Sequence, residues 1–132
     1  MFSMDSKFVA IPSSEAHEWA IAARQNADLS YTEESWDCDD IALQFMVNMR
    51  HSFHHFLKDV PWAPAIGLAT ITIRQPVEEF GFPATVYPVK HALPIIRLSF
   101  GDWWLIEPTT GKWIKLDEEL YDGRLELNTV IF

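Results

Sequence analysis

Three residues of this chain have the types and the order of a nucleophile, a base and an orienting acid. Cys38, the only cysteine, sits in Ser35-Trp36-Asp37-Cys38-Asp39-Asp40 at the predicted start of a helix. A helix N-terminus favours negative charge and draws a thiol toward its reactive thiolate. Downstream, His91 opens an apolar strand in Lys90-His91-Ala92-Leu93, and Glu107 closes another in Leu105-Ile106-Glu107-Pro108. A thiol, an imidazole and a carboxylate, each near the end of a regular element, make the layout of a cysteine nucleophile with its base and acid.

Each of these residues also has a structural reading. A helical cysteine is commonly a small buried hydrophobe, and a histidine at a strand start is commonly surface or hydrogen-bonded structure. Three aspartates beside the thiol would raise its pKa unless they point outward or hold a cation. Glu107 follows the very apolar run Trp103-Trp104-Leu105-Ile106, so its carboxylate must find a partner or solvent.

The elements that would position these groups can be read from periodicity. Pro12-Ser13-Ser14 predicts a helix start, with the serine oxygens capping the first amides, and Ala16, Trp19, Ala20 and Ala23 give a narrow apolar face to about Gln25. Residues 26–34 are polar and read as a loop. In the second helix Cys38, Ile41, Ala42, Phe45, Met49, Phe53 and Phe56 recur at spacings of three and four, to about Leu57. Asp37 is its expected N-cap, with Asp40 completing an acidic capping box. Gln44, Asn48, His51, His55 and Lys58 form the expected wet stripe.

Past Pro61 and Pro64 the pattern turns to strands. Ala69, Ile71 and Ile73 alternate with Thr70 and Thr72, and residues 75–88 are extended and irregular. Residues 89–107 read as a hairpin around Gly101-Asp102. His91 and Glu107 share a face only if paired positions sum to an even number, which a three-residue loop Phe100-Gly101-Asp102 provides and a strict two-residue turn does not. Thr109-Thr110-Gly111 turns into a strand at residues 112–116, and residues 125–132 form a last strand. Helices first and an antiparallel sheet after them predict an α+β fold in a single domain spanning residues 1–132.

Composition bounds the function. The net charge of −9 argues against nucleic acid, because phosphate binding needs clustered Lys and Arg. Acidity reads first as solubility and second as divalent-cation binding through Asp37, Asp39 and Asp40. One cysteine forms no internal disulfide, no signal peptide opens the sequence, and no apolar run approaches a membrane span. A cytoplasmic protein with no membrane partner is expected. His51 and His55, one turn apart, invite a zinc reading, but no Glu stands between them as in metalloproteases and a third ligand is missing. The tryptophans read as core or cleft wall.

Taken together, Asp37-Cys38-Asp39-Asp40-Ile41-Ala42, His91-Ala92 and Trp104-Leu105-Ile106-Glu107-Pro108-Thr109-Thr110-Gly111 resemble the papain-like and transglutaminase-like cysteine enzymes. The variant they most resemble is the cysteine-protease domain at the C-terminus of fungal agglutinins, over residues 36–116. The resemblance implies a papain-like or transglutaminase-like core, with the cysteine at a helix N-terminus packed on an antiparallel sheet. It implies a thiol-dependent hydrolase, a cysteine peptidase or amidase, acting on a peptide or protein substrate. In it Cys38 attacks a carbonyl, His91 takes and returns the proton, Glu107 orients the ring, and the Cys38 amide donates to the oxyanion. Papain-type enzymes place a glutamine shortly before the cysteine, which residues 32–36 lack, so Gln25, Asn26 or the Trp36 indole would substitute. Calcium is the cation that Asp37, Asp39 and Asp40 would hold, although no cofactor is required by the residues themselves. Two alternatives stand beside hydrolysis: acyl transfer to an amine, and a catalytically inactive binding or assembly protein. A third, a metal-binding regulator, would use His51 and His55.

Overall fold

The computed structural model describes residues 8–29, 38–56, 63–76, 88–99, 101–116 and 123–132. Helix α1 covers Ser13–Gln25 and buries Ala16, Trp19, Ala20 and Ala23. The serines do not cap it: Pro12 is the N-cap and no side chain bonds the free amides. The hydroxyl of Ser14 instead donates to the Glu15 carboxylate at 2.6 Å. That bond holds the Glu15 carboxyl below its ordinary range.

Helix α2, Cys38–Phe56, buries Ile41, Ala42, Phe45, Met49 and Phe53 of the row expected from the three–four spacing, while the side chains of Cys38 and Phe56, the two ends of that row, lie outside the described ones. Its expected N-cap, Asp37, lies outside the described residues. The opposite stripe is not uniformly wet. Gln44 Oε1 accepts from the Asp28 N–H at 2.9 Å, and Asn48 Nδ2 donates to the Ala23 carbonyl at 3.3 Å. These two amides tie α2 to the end of α1, where backbone groups lose their helical partners.

The strands are β1 (Phe8–Val9), β2 (Ala63–Pro64), β3 (Ile66–Ile73), β4 (Val89–Arg97), β5 (Trp103–Ile106), β6 (Trp113–Lys115) and β7 (Leu125–Ile131). A parallel pair joins β1 to β2. The main sheet runs in the order β6-β5-β4-β3-β7 and is antiparallel throughout. Gly67 lies where β7 approaches β3 closely, since a Cβ there would stand 2.5 Å from the Ile131 carbonyl oxygen. One core cluster joins the helices to the sheet through Trp19, Phe45, Met49, Phe53, Ile66, Ile96 and Ile106. A second gathers Ala69, Ile71, Leu93, Ile95, Leu105 and Ile114. Residues 95 and 96, and 105 and 106, divide between the clusters, as alternation across a strand requires.

The described residues therefore form two helices on one five-stranded antiparallel sheet. This corrects the expected fold family: it is not the papain-like or transglutaminase-like core with its multi-helix N-terminal region. The physical reason lies in what the motifs encode. A helix start, a strand start and a turn are local features, while the strand order comes from pairings such as β3–β7 between residues distant in sequence. Among the described residues no helix is long and apolar enough to cross a membrane.

Candidate active site

Strand β4 carries His91 opposite Ile71 of β3. The β4–β5 register pairs Ile95 with Leu105, Ile96 with Trp104 and Arg97 with Trp103, so paired positions sum to an even number. Beyond them the Leu98 N–H donates to the Asp102 carbonyl at 3.0 Å, and Gly101 takes φ +93°, which favours glycine. The connection is thus one residue earlier than Phe100-Gly101-Asp102 and preserves the same parity. That parity lets His91 and Glu107 meet, although neither is directly opposite the other.

They do meet. His91 Nε2 and Glu107 Oε1 are 2.9 Å apart, with side-chain exposures of 11% and 3%. With Glu107 ionised, Nε2 carries the proton and donates, which leaves Nδ1 as the basic nitrogen of the neutral ring. Glu107 is the buried charged residue of the described core, and the imidazole supplies the partner that such a carboxylate needs.

The acid is held from behind. The Glu107 N–H donates to the Lys112 carbonyl at 2.9 Å, and its own carbonyl accepts from the Gly111 N–H at 2.8 Å. Gly111 has φ +74°, again the left-handed region. Arg24 of α1 reaches across to this turn, donating from Nε to the Pro108 carbonyl and from Nη2 to the Thr109 carbonyl, both at 2.8 Å. These bonds join residues 84 and 85 positions apart, so no local pattern reveals them.

His91 opens onto a cleft of about 560 Å³ lined also by Asp39, Lys90, Thr70, Thr72, Asn128 and Thr129. That volume is in the range of small-molecule sites. Within its lining the Thr70 and Thr129 hydroxyls bond each other, and Asn128 Nδ2 donates to Thr72 Oγ1 at 2.8 Å. The outward Thr70 and Thr72 were visible as the polar half of an alternating strand. Their pairing with Asn128 and Thr129 was not.

Cys38 is the first residue of α2 and Asp39 the second, so the first turn of that helix stands at the cleft. Gln25 goes elsewhere. It lines a second cleft of about 510 Å³ with Arg24, His17, Ile106, Thr110 and Trp113. Asn26 ends α1, where its side chain donates to the Ala22 carbonyl at 2.8 Å. Trp36 and Asp37 lie outside the described residues. Asp39 is exposed and Asp40 half-buried, and among the described residues no three His, Cys, Asp or Glu side chains gather as a metal site. Trp113 borders the second cleft, stacked on His17 with ring centres 4.2 Å apart.

No protein-family model matches this sequence, and no curated protein matches it. Among solved structures it is similar to the Polyporus squamosus lectin, in a crystal structure titled as bound to the human-type influenza-binding epitope Neu5Aca2-6Galb1-4GlcNAc. The TM-score is 0.57 at 14% identity. The match covers 95% of this chain and 39% of the lectin chain, so it spans well under half of that protein's length. At this identity the likeness concerns the fold.

Proposed function

We propose that this chain is a thiol-dependent hydrolase of amide bonds, a cysteine peptidase or amidase, with Cys38 as nucleophile, His91 as base and Glu107 as orienting acid. The observation that carries the reading is the buried His91–Glu107 hydrogen bond at 2.9 Å. It lies beside a cleft whose wall includes Asp39, next to Cys38 in α2. In the proposed reaction the thiol proton passes to His91 and the sulfur bonds the amide carbon. The same proton then leaves with the amine, and water releases the acid from the thioester. The substrate class is a peptide or protein. A thiol that must stay reduced suits a reducing compartment, so a cytoplasmic setting belongs to the proposal. An amine acceptor added to the assay separates hydrolysis from acyl transfer.

Thiol reactivity against pH tests the triad without knowledge of the substrate. Cys38 should alkylate with iodoacetamide well below the free-thiol pKa of about 8.5. His91→Ala should move the midpoint up to that value. If the parent protein reacts only near 8.5 and His91→Ala leaves the profile unchanged, the catalytic reading fails.

The lectin likeness favours a second reading, a binding protein that recognises a carbohydrate. Glycan binding that survives Cys38→Ala, with no thiol activation, would support it.

A further inference from the structure

We propose that His51 and His55, on the exposed face of α2, form a two-imidazole chelate for a divalent transition metal of tetragonal preference, copper(II) above nickel(II). The two residues are four positions apart, so their side chains rise from one side of the helix. Their Nε2 atoms are 3.0 Å apart and their rings stand nearly perpendicular, at 86°. Without a metal, one Nε2 must carry a proton and the other accept it. Both nitrogens then point into the same small volume, where one ion can replace the shared proton.

The ring centres are only 4.4 Å apart. That is less than the nitrogen separation plus the two centre-to-nitrogen distances, so the nitrogens do not aim straight at each other. Both rings tilt off the joining line, and since both spring from one helix face, their lone pairs converge outward. With metal–nitrogen bonds of about 2.05 Å, a 3.0 Å separation subtends about 94° at the ion. This is close to the right angle of square-planar and octahedral sites and short of the tetrahedral angle zinc adopts. Imidazole nitrogen suits copper and nickel, and copper binds most tightly of the first-row divalent ions. Among the described residues no third His, Cys, Asp or Glu joins the pair, so water completes the coordination. His54 is excluded by position: it is turned aside from His55 on the helix, with ring centres 6.2 Å apart.

The test uses the full chain carrying Cys38→Ser, so that no thiol competes for or reduces the ion. Copper(II) chloride is titrated in against glycine as competitor, with calorimetry and electron paramagnetic resonance as readouts. One equivalent should bind, with a tetragonal spectrum and hyperfine structure from two nitrogens. His51→Ala and His55→Ala should each weaken binding at least tenfold, whereas His54→Ala should change it less than twofold. All three positions are exposed, and circular dichroism verifies that each variant folds. Absence of a one-equivalent site, unchanged affinity in His51→Ala and His55→Ala, or an equal loss in His54→Ala would each overturn the proposal.

Discussion

Glu107 is the residue where chemistry and stability meet. Its carboxylate is nearly sealed from water, so removing the imidazole does more than delete a base: it strands a buried charge. His91→Ala should therefore cost about 3 kcal/mol of stability. Glu107→Gln keeps the shape and an oxygen acceptor while removing the charge, and should cost about 1–2 kcal/mol. Urea melts of the two variants would check this ordering. A cost for His91→Ala no greater than for Glu107→Gln would mean that the carboxylate is neutral or finds another partner. The alternative is visible at this scale too: the apolar run before Glu107 already called for a partner in the sequence, but the identity of that partner depended on a register no single residue discloses.

Elements explain why the acid stays where it is. The turn following β5 is closed by Gly111 and pinned by Arg24 from α1, so the first helix positions a group that belongs to the sheet. Arg24→Ala leaves two turn carbonyls without their donor, at about 1–3 kcal/mol for charged-group bonds. It should also disturb the Glu107–His91 pair, read as a shift in the His91 ring signals by NMR. Arg24→Lys offers a single point donor in place of the planar fork, so it should recover only part of the loss. Unmoved His91 signals in Arg24→Ala would show that the turn holds itself. The two helices and the long strands were legible because their patterns repeat: Ile41, Phe45, Met49 and Phe53 mark one helix face, and Ala69, Ile71 and Ile73 one strand face. The two-residue strands β1 and β2 have no period to detect. The serine caps failed because Pro12 holds the N-cap position, which leaves Ser13 and Ser14 inside the first turn rather than before it. Gln44 and Asn48 looked solvated because amides are polar, and only the neighbouring helix end shows what they bond.

On the scale of the molecule the sheet divides two clusters of apolar side chains, and strand β4 contributes to both. Ile95 and Ile96 are adjacent, both without exposed surface, and each belongs to a different cluster. The expected fold class failed at this level because strand order is a property of the whole chain, set by which sheet faces can be covered at once. If β4 couples the clusters, the protein unfolds as one unit although its apolar surface lies in two places. Ile95→Ala and Ile96→Ala should each cost about 2–5 kcal/mol, as expected for emptying a fully buried site. Both should lower the same transition, with tryptophan fluorescence and far-ultraviolet circular dichroism giving coincident curves. The double variant should depart from additivity, since the two cavities share one strand backbone. Separate transitions, with the fluorescence of Trp19 and Trp104 in the helix-side cluster lost at a different urea concentration from the strand signal, would instead make the two layers independently stable. In that case the His91–Glu107 pair would answer to Ile95 and Leu105 alone. Coincident curves would make it depend on the helices as well, through the same strand that carries His91.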